Sequence, residues 1–275
     1  MNTIRSLFFT ALLLMAMTGC ASLPSDYNAL DDNAVLNITD MLKRIENENL
    51  LFVGEGHEEM SDHIFQAEVI RHLHAKGRRV VVALEVFPRD WQPLLNSWGN
   101  GSIDEYNFGR ECDKIWGDLF YYYGDLLRFS RDSGIPLFGI SGPRGLINSV
   151  ALHGPGVISR QPQATGFSGC SDDRDYERLM MSVDAMNVHE TRMPFFCDAQ
   201  RLSDTIMAEN LAELIRNNRQ SAVVVLTGAA HASKIAVPRI LLRTQEVFYK
   251  VLLPASFENM LQGKVGKDLA DYIWY

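Results

Sequence analysis

The hydrophobic pattern opens with one nearly unbroken apolar run, Leu7–Met17, behind a short start carrying Arg5. The run is too short to span a bilayer, which takes about 20 apolar residues. It has the length of the apolar region of a secretory signal. Downstream, short apolar runs recur at Asn49–Val53, Arg79–Leu84, Pro136–Ile140, Ala222–Thr227 and Phe248–Leu253, and each reads as a buried strand. Longer segments of helical period lie between them. Asp62 is placed to cap a helix over His63–Lys76, with Ile64, Ala67, Ile70 and Leu73 on one stripe and Gly77 at its end. Tyr121–Asp132, Asp173–Asn187 and Ala199–Asn217 read as further helices. In the last of these, Leu202, Ile206, Leu211 and Leu214 mark the buried face. Strands that are apolar throughout, alternating with helices, predict a mostly parallel sheet covered on both faces, a three-layer α/β/α fold.

No other apolar stretch approaches membrane length, so the body is expected to be soluble and only anchored. With the signal removed, roughly 255 residues remain, enough for one large domain over residues 36–275. The polar stretch of residues 20–35 reads as a tether. A net charge of −8 argues against nucleic acid and anionic headgroups as partners. Of the four cysteines, Cys112, Cys170 and Cys197 lie in the body without CxxC spacing, so no zinc or redox motif is read. In an oxidising compartment one bridge can form. Cys170 and Cys197 flank one irregular segment and one helix, and are the expected pair, worth about 3 kcal/mol in the loop-entropy model. Cys112 is left free. The Gly-, Pro- and Ser-bearing stretch Leu152–Asp173 reads as a lid or an insertion.

The candidate chemistry sits just after the strands. The first ends in Gly54-Glu55-Gly56-His57, the second in Glu85 with Phe87, Arg89 and Gln92 following. Ser141-Gly142-Pro143-Arg144 follows the third and Gly228-Ala229-Ala230-His231 the fourth. In a parallel sheet these points meet on one edge, so two carboxylates and two imidazoles are expected to converge in one crevice. Glu55 and Glu85 are read either as site carboxylates or as groups orienting the imidazoles. His63 opens a helix and either faces the same crevice or is solvated. Trp116–Tyr123 is dense in aromatics, which are core or a flat wall for a ligand.

Two resemblances sharpen this reading. Met17-Thr18-Gly19-Cys20 resembles the lipobox of bacterial lipoproteins, with Met17 where Leu is usual. It implies that residues 1–19 are a cleaved signal, that Cys20 carries the lipid, and, with Ala21 rather than Asp next, that the chain is held on a bacterial membrane, the outer one. Second, GEGHEEMSDHIFQ, ALEVFPRDWQ and VVVLTGAAHA are similar to the ChaN-type haem-binding lipoproteins, within a wider group that includes erythromycin esterase-like and Tiki/TraB-like proteins. The match runs through Glu55, His57, His63, Gln66, Glu85, Phe87, Arg89, Gln92, Trp116, Tyr123, Pro143, Arg144, Gly228 and His231, from about Asn49 to Val237. The chain departs from the family at Glu58, Asp62, Val86, Asp125 and Ser141.

The resemblance implies a haem-binding protein of iron acquisition, with a haem receptor or transporter downstream. Its haem site would draw on Glu55, His57, His63, Glu85, Arg89, Gln92, Tyr123, Arg144 and His231. Tyr123 and His57 are then the axial candidates, and Arg89 and Arg144 the propionate partners. The absence of CxxCH implies non-covalent binding. A flat haem face at a shallow site would favour a homodimer. The alternative is a hydrolase working through the Glu/His crevice, with a metal or by acid and base alone. It would be neither a GxSxG serine hydrolase nor an HExxH zincin, since neither motif is present.

Overall fold

A computed structural model describes residues 22–160, 166–186 and 193–275. The expected signal and Cys20 lie outside the described residues, as do 161–165 of the expected lid. Eight strands form one sheet: β1 (Tyr27–Ala29), β2 (Ala34–Leu36), β3 (Leu50–Glu55), β4 (Val80–Pro88), β5 (Leu137–Ser141), β6 (Ala222–Gly228), β7 (Lys250–Pro254) and β8 (Tyr272–Trp274). Their order is β2-β1-β8-β7-β3-β6-β4-β5. All pairings from β8 to β5 are parallel, and only β1 runs against its neighbours.

Alternate residues of each apolar strand feed two separate cores, because side chains switch faces at every step. Leu51, Val53, Val82, Leu84, Val224 and Leu226 face one core. It is closed by α1 (Ile38–Ile45), α2 (Met60–Ala75), α3 (Gln92–Gly99), α4 (Glu105–Ile115) and α5 (Leu119–Asp132). Phe52, Val81, Ala83, Val223, Val225 and Val251 face the other. There the cover comes from α7 (Arg174–Met186) and α8 (Phe196–Asn217), following α6 (Arg144–His153), and from the short α9 (Ala229–Ala232), α10 (Val237–Leu241) and α11 (Ser256–Leu261). The five expected strands are β3 to β7, and the three-layer arrangement is as read. Cys170 is bridged to Cys197, and Cys112 is free and buried. No helix among the described residues is long and apolar enough to cross a membrane.

The expected tether needs correction. Residues 27–36 supply the last two strands on one side of the sheet, and Tyr27 and Ala29 are fully buried. Three-residue strands are too short to show a period of two, which is why they read as linker. Tyr27 packs on Phe65, and Phe65 on Trp274 of β8, so this edge belongs to the core.

Asp62 accounts for one departure from the family pattern. It is buried, accepting the Gly56 backbone N–H at 2.8 Å and the Trp274 indole N–H at 3.0 Å. Burial, only partly offset by these two donors, pushes its carboxyl up to about 6. The side chain joins the turn after β3 to the last strand. Asp62→Ala leaves both buried donors unsatisfied, and is expected to cost about 2 kcal/mol. Denaturant melts read by Trp fluorescence check this; an unchanged midpoint would mean the contacts carry no net stability.

Candidate functional site

The site starts with β3. Its last residue, Glu55, is buried at the carboxyl end of the sheet, where donors from three elements converge on it. Oε1 accepts the His57 Nδ1–H at 2.9 Å and the Tyr123 hydroxyl, and Oε2 accepts Gln66 Nε2 at 2.6 Å. His63 Nδ1 lies 3.6 Å from Oε2. Burial alone would raise this carboxyl, but the His57 hydrogen bond and the charges of His63 and His57, with Tyr123 adding to them, hold it below the ordinary range. Glu55 thus orients other groups. With its Nδ1 taken, His57 presents Nε2, and its side chain is 49% exposed. Burial would depress this imidazolium; the Glu55 hydrogen bond and the Glu85 charge outweigh it and raise the pKa.

A second histidine–carboxylate pair is built opposite. Glu85, from β4, accepts the Gly228 backbone N–H at 2.8 Å and lies 3.4 Å from His231 Nε2. His231 Nδ1 is hydrogen-bonded to Asp204 of α8, and Asp204 also accepts the Tyr176 hydroxyl at 2.6 Å. Burial would lower the His231 pKa, but Glu85 and Asp204, one at each ring nitrogen, push it up to about 9. His231 is therefore an imidazolium at neutral pH, with both N–H groups directed at carboxylates. Gly228 separates the two rings, and a Cβ there would sit 3.2 Å from His57 Nε2.

The crevice between these pairs has a volume of about 370 Å³, with walls that include His57, Glu85, Val86, Trp116, Arg144 and Ile147. Trp116 meets the His57 ring edge-on at 5.8 Å and stacks on Tyr122 at 5.6 Å. Arg144 opens α6 and donates to the Ile115 carbonyl.

Of the nine expected residues, His57, Glu85 and Arg144 form the crevice wall. Glu55 and His231 lie directly behind it. The other four do not line it. Tyr123 is 2% exposed with its hydroxyl on Glu55, so it supports the site from beneath and does not present an axial oxygen. His63 is buried, its Nε2 on the His57 carbonyl at 3.0 Å, and it fixes the turn. Gln92 ties the start of α3 to β5: its Nε2 donates to the Leu137 carbonyl at 2.8 Å and its Oε1 accepts the Gly139 N–H. It spans the irregular register of β4 on β5, where a Cβ at Gly139 would meet two carbonyl oxygens at 2.7 Å. Arg89 pairs with Glu213 at 3.3 Å in a neighbouring hollow.

Asp204 and Tyr176 were not anticipated. Asp204 lies four and seven residues before Ala208 and Leu211, inward-facing helical spacing, and residues 201–208 of α8 are buried on every side. A carboxylate in such a stretch needs a partner, and that is the signal by which it is found. No grouping of His, Cys, Asp and Glu among the described residues has metal-holding geometry.

Comparison with known proteins agrees with this architecture. The curated protein RETICULATA-RELATED 5, chloroplastic, of Arabidopsis thaliana is 22% identical over 254 residues, covering 85% of this chain; the chain spans 35% of that protein's length. The structure described as cofacial heme binding to ChaN of Campylobacter jejuni has a TM-score of 0.69 at 17% identity, covering 92% of this chain and 97% of that one. The type III effector HopBA1 has a TM-score of 0.54 at 11% identity, with 85% and 89% covered. At these identities the likeness to solved structures is one of fold. The family model described as haem-binding uptake, Tiki superfamily, ChaN matches residues 41–241, and with that span the chain belongs to the ChaN haem-binding family of the Tiki superfamily.

Proposed function

We propose that this chain binds haem non-covalently in the crevice beside His57, and that it does so in iron acquisition, held to a bacterial membrane by lipid on Cys20. The observation that carries the binding site is the state of His57: Nδ1 fixed by a buried carboxylate, Nε2 presented beside Trp116 in an open crevice. Imidazole is an ordinary axial donor, and a carboxylate on its other nitrogen sets tautomer and orientation. Val86 and Ile147 supply apolar wall, and the Arg144 guanidinium suits a propionate. The family and the haem named for the Campylobacter jejuni relative support the reading. About 370 Å³ is near the lower end for ligand sites.

Haemin titration followed at the Soret band tests the site. His57→Ala is expected to abolish the shift, Arg144→Ala to weaken binding, and Tyr123→Phe to leave the band's position in place. Protonated Nε2 cannot donate to a metal. Since the His57 pKa is raised, affinity should fall as pH drops through a midpoint above 6.5. A band that survives His57→Ala and disappears with Tyr121→Phe or Tyr122→Phe would move the contact to the aromatic rim. A hydrolase is the second reading, with His57 as base and the His231 imidazolium as acid across Gly228. Turnover of a chromogenic ester that is lost in His57→Ala would favour it.

A further inference from the structure

The N-terminal segment enters the fold beside the site. β1 runs antiparallel to β8, with Tyr27 opposite Trp274, while β8 is parallel to β7 and β7 to β3. The start of β1 therefore lies at the carboxyl edge of the parallel strands, the edge that carries Glu55, His57 and Glu85. The segment is fastened there. The Tyr27 hydroxyl donates to the Pro24 carbonyl at 3.2 Å, and the Tyr275 N–H to the Asp26 carbonyl at 3.0 Å. Ser22 and Pro24 share a hollow with Glu59, Asp62 and Trp274. Asp62 holds the Gly56 N–H, and the next residue along α2, His63, holds the His57 carbonyl. A short chain of hydrogen bonds thus joins the N-terminal segment to the site turn.

We propose that the crevice mouth faces the membrane, with the carboxyl edge of the sheet lying against a zwitterionic bilayer surface. This rests on the lipid anchor at Cys20. Pro24 is four residues beyond Cys20, and four residues reach at most roughly 14 Å. With a strand spacing of about 4.8 Å, β3 lies three strands from β1, about 14 Å along the edge, and β4 five strands, about 24 Å. An anchor this short, attached at this edge, cannot bring the opposite edge, at the far end of the strands, to the lipid while the site edge points away. Leu23, Tyr121 and Tyr275 are exposed on the site edge, and Tyr suits the headgroup region, where one end is apolar and the other wet. A net charge of −8 favours neutral over anionic headgroups. In this orientation a planar amphiphile dissolved in the interface reaches His57 by moving along the surface.

The test uses lipidated full-length protein in phosphatidylcholine–phosphatidylethanolamine vesicles carrying a headgroup nitroxide lipid. Cys112 is buried and the other body cysteines are bridged, so an introduced thiol takes the fluorophore alone. Asn148→Cys places it at the crevice rim, and Asn217→Cys at the end of α8, on the opposite edge. Quenching is expected to be several-fold stronger at 148 than at 217. Equal quenching, or stronger quenching at 217, overturns the orientation while leaving the anchor standing. Protein that fails to float with the vesicles overturns the anchor, and the orientation with it. Haemin binding in detergent is read separately and depends on neither.

Discussion

Glu55→Gln is expected to cost about 3 kcal/mol or more of stability, although the side chains are nearly the same shape. The native carboxylate accepts from His57, Tyr123 and Gln66 and has no donor of its own. An amide turns one of those oxygens into an NH₂ pointing at donors: placed at Oε2 it strips Gln66 of its acceptor, and placed at Oε1 it strips both His57 and Tyr123. The group replaced is also an anion held below the ordinary carboxylate range, so the variant loses charge-assisted bonds rather than neutral ones. Two measurements separate the consequences. Denaturant unfolding reads the stability, with exposed Glu58→Gln as a neighbour expected to change it by less than about 0.5 kcal/mol. Haemin affinity reads the orientation of His57, and loss of such a supporting partner typically weakens binding on the order of 10–100-fold. A Glu55→Gln protein with wild-type stability would show that the convergence on Glu55 is not the keystone of the turn after β3.

Much of this architecture was legible in the sequence because its strands are apolar throughout. Runs such as Leu50–Val53 and Ala222–Leu226 have no polar face to confuse with a helix, and they sit at the centre of the sheet. The site could be anticipated to the same depth: residues late in a central strand or just past it must appear toward its carboxyl edge, and Glu55, His57, Glu85 and His231 do. Depth along the side chain could not be read. His57 and His63 lie six residues apart in one motif, yet one ring opens on the crevice and the other is buried beneath it. Tyr123 comes after the exposed Tyr121 and the half-buried Tyr122, but α5 turns it inward onto Glu55. Gln92 and Arg89 lie beyond the β4 irregularity, which carries both away from the crevice. Asp204 comes from α8, far along the chain, and only tertiary packing brings it to His231.

Stability is expected to fall by on the order of 3 kcal/mol as pH rises from 6.5 to 9 on account of His231 alone. Its folded pKa is about 9, against about 6.5 for the unfolded chain. Below 6.5 both states carry the proton and the full stabilisation is present. Between the two values the native state binds one proton more than the unfolded state, so each rise in pH favours unfolding. Above 9 the contribution is gone, and Glu85 and Asp204 are left facing a neutral ring. His57 is raised as well and works in the same direction, so the wild-type curve by itself does not isolate the effect. The difference between wild type and His231→Gln does: the gap in unfolding free energy should be widest near pH 6 and close by about pH 9.5. Asp204→Asn should flatten the same slope by removing one of the two charges that raise the pKa, while retaining an acceptor for the Tyr176 hydroxyl. A gap constant across this range would mean that His231 is neutral in the folded protein. A second neutral imidazole would then stand directly behind the crevice, and the proposal of His57 as the haem donor would have to be tested against His231 as well.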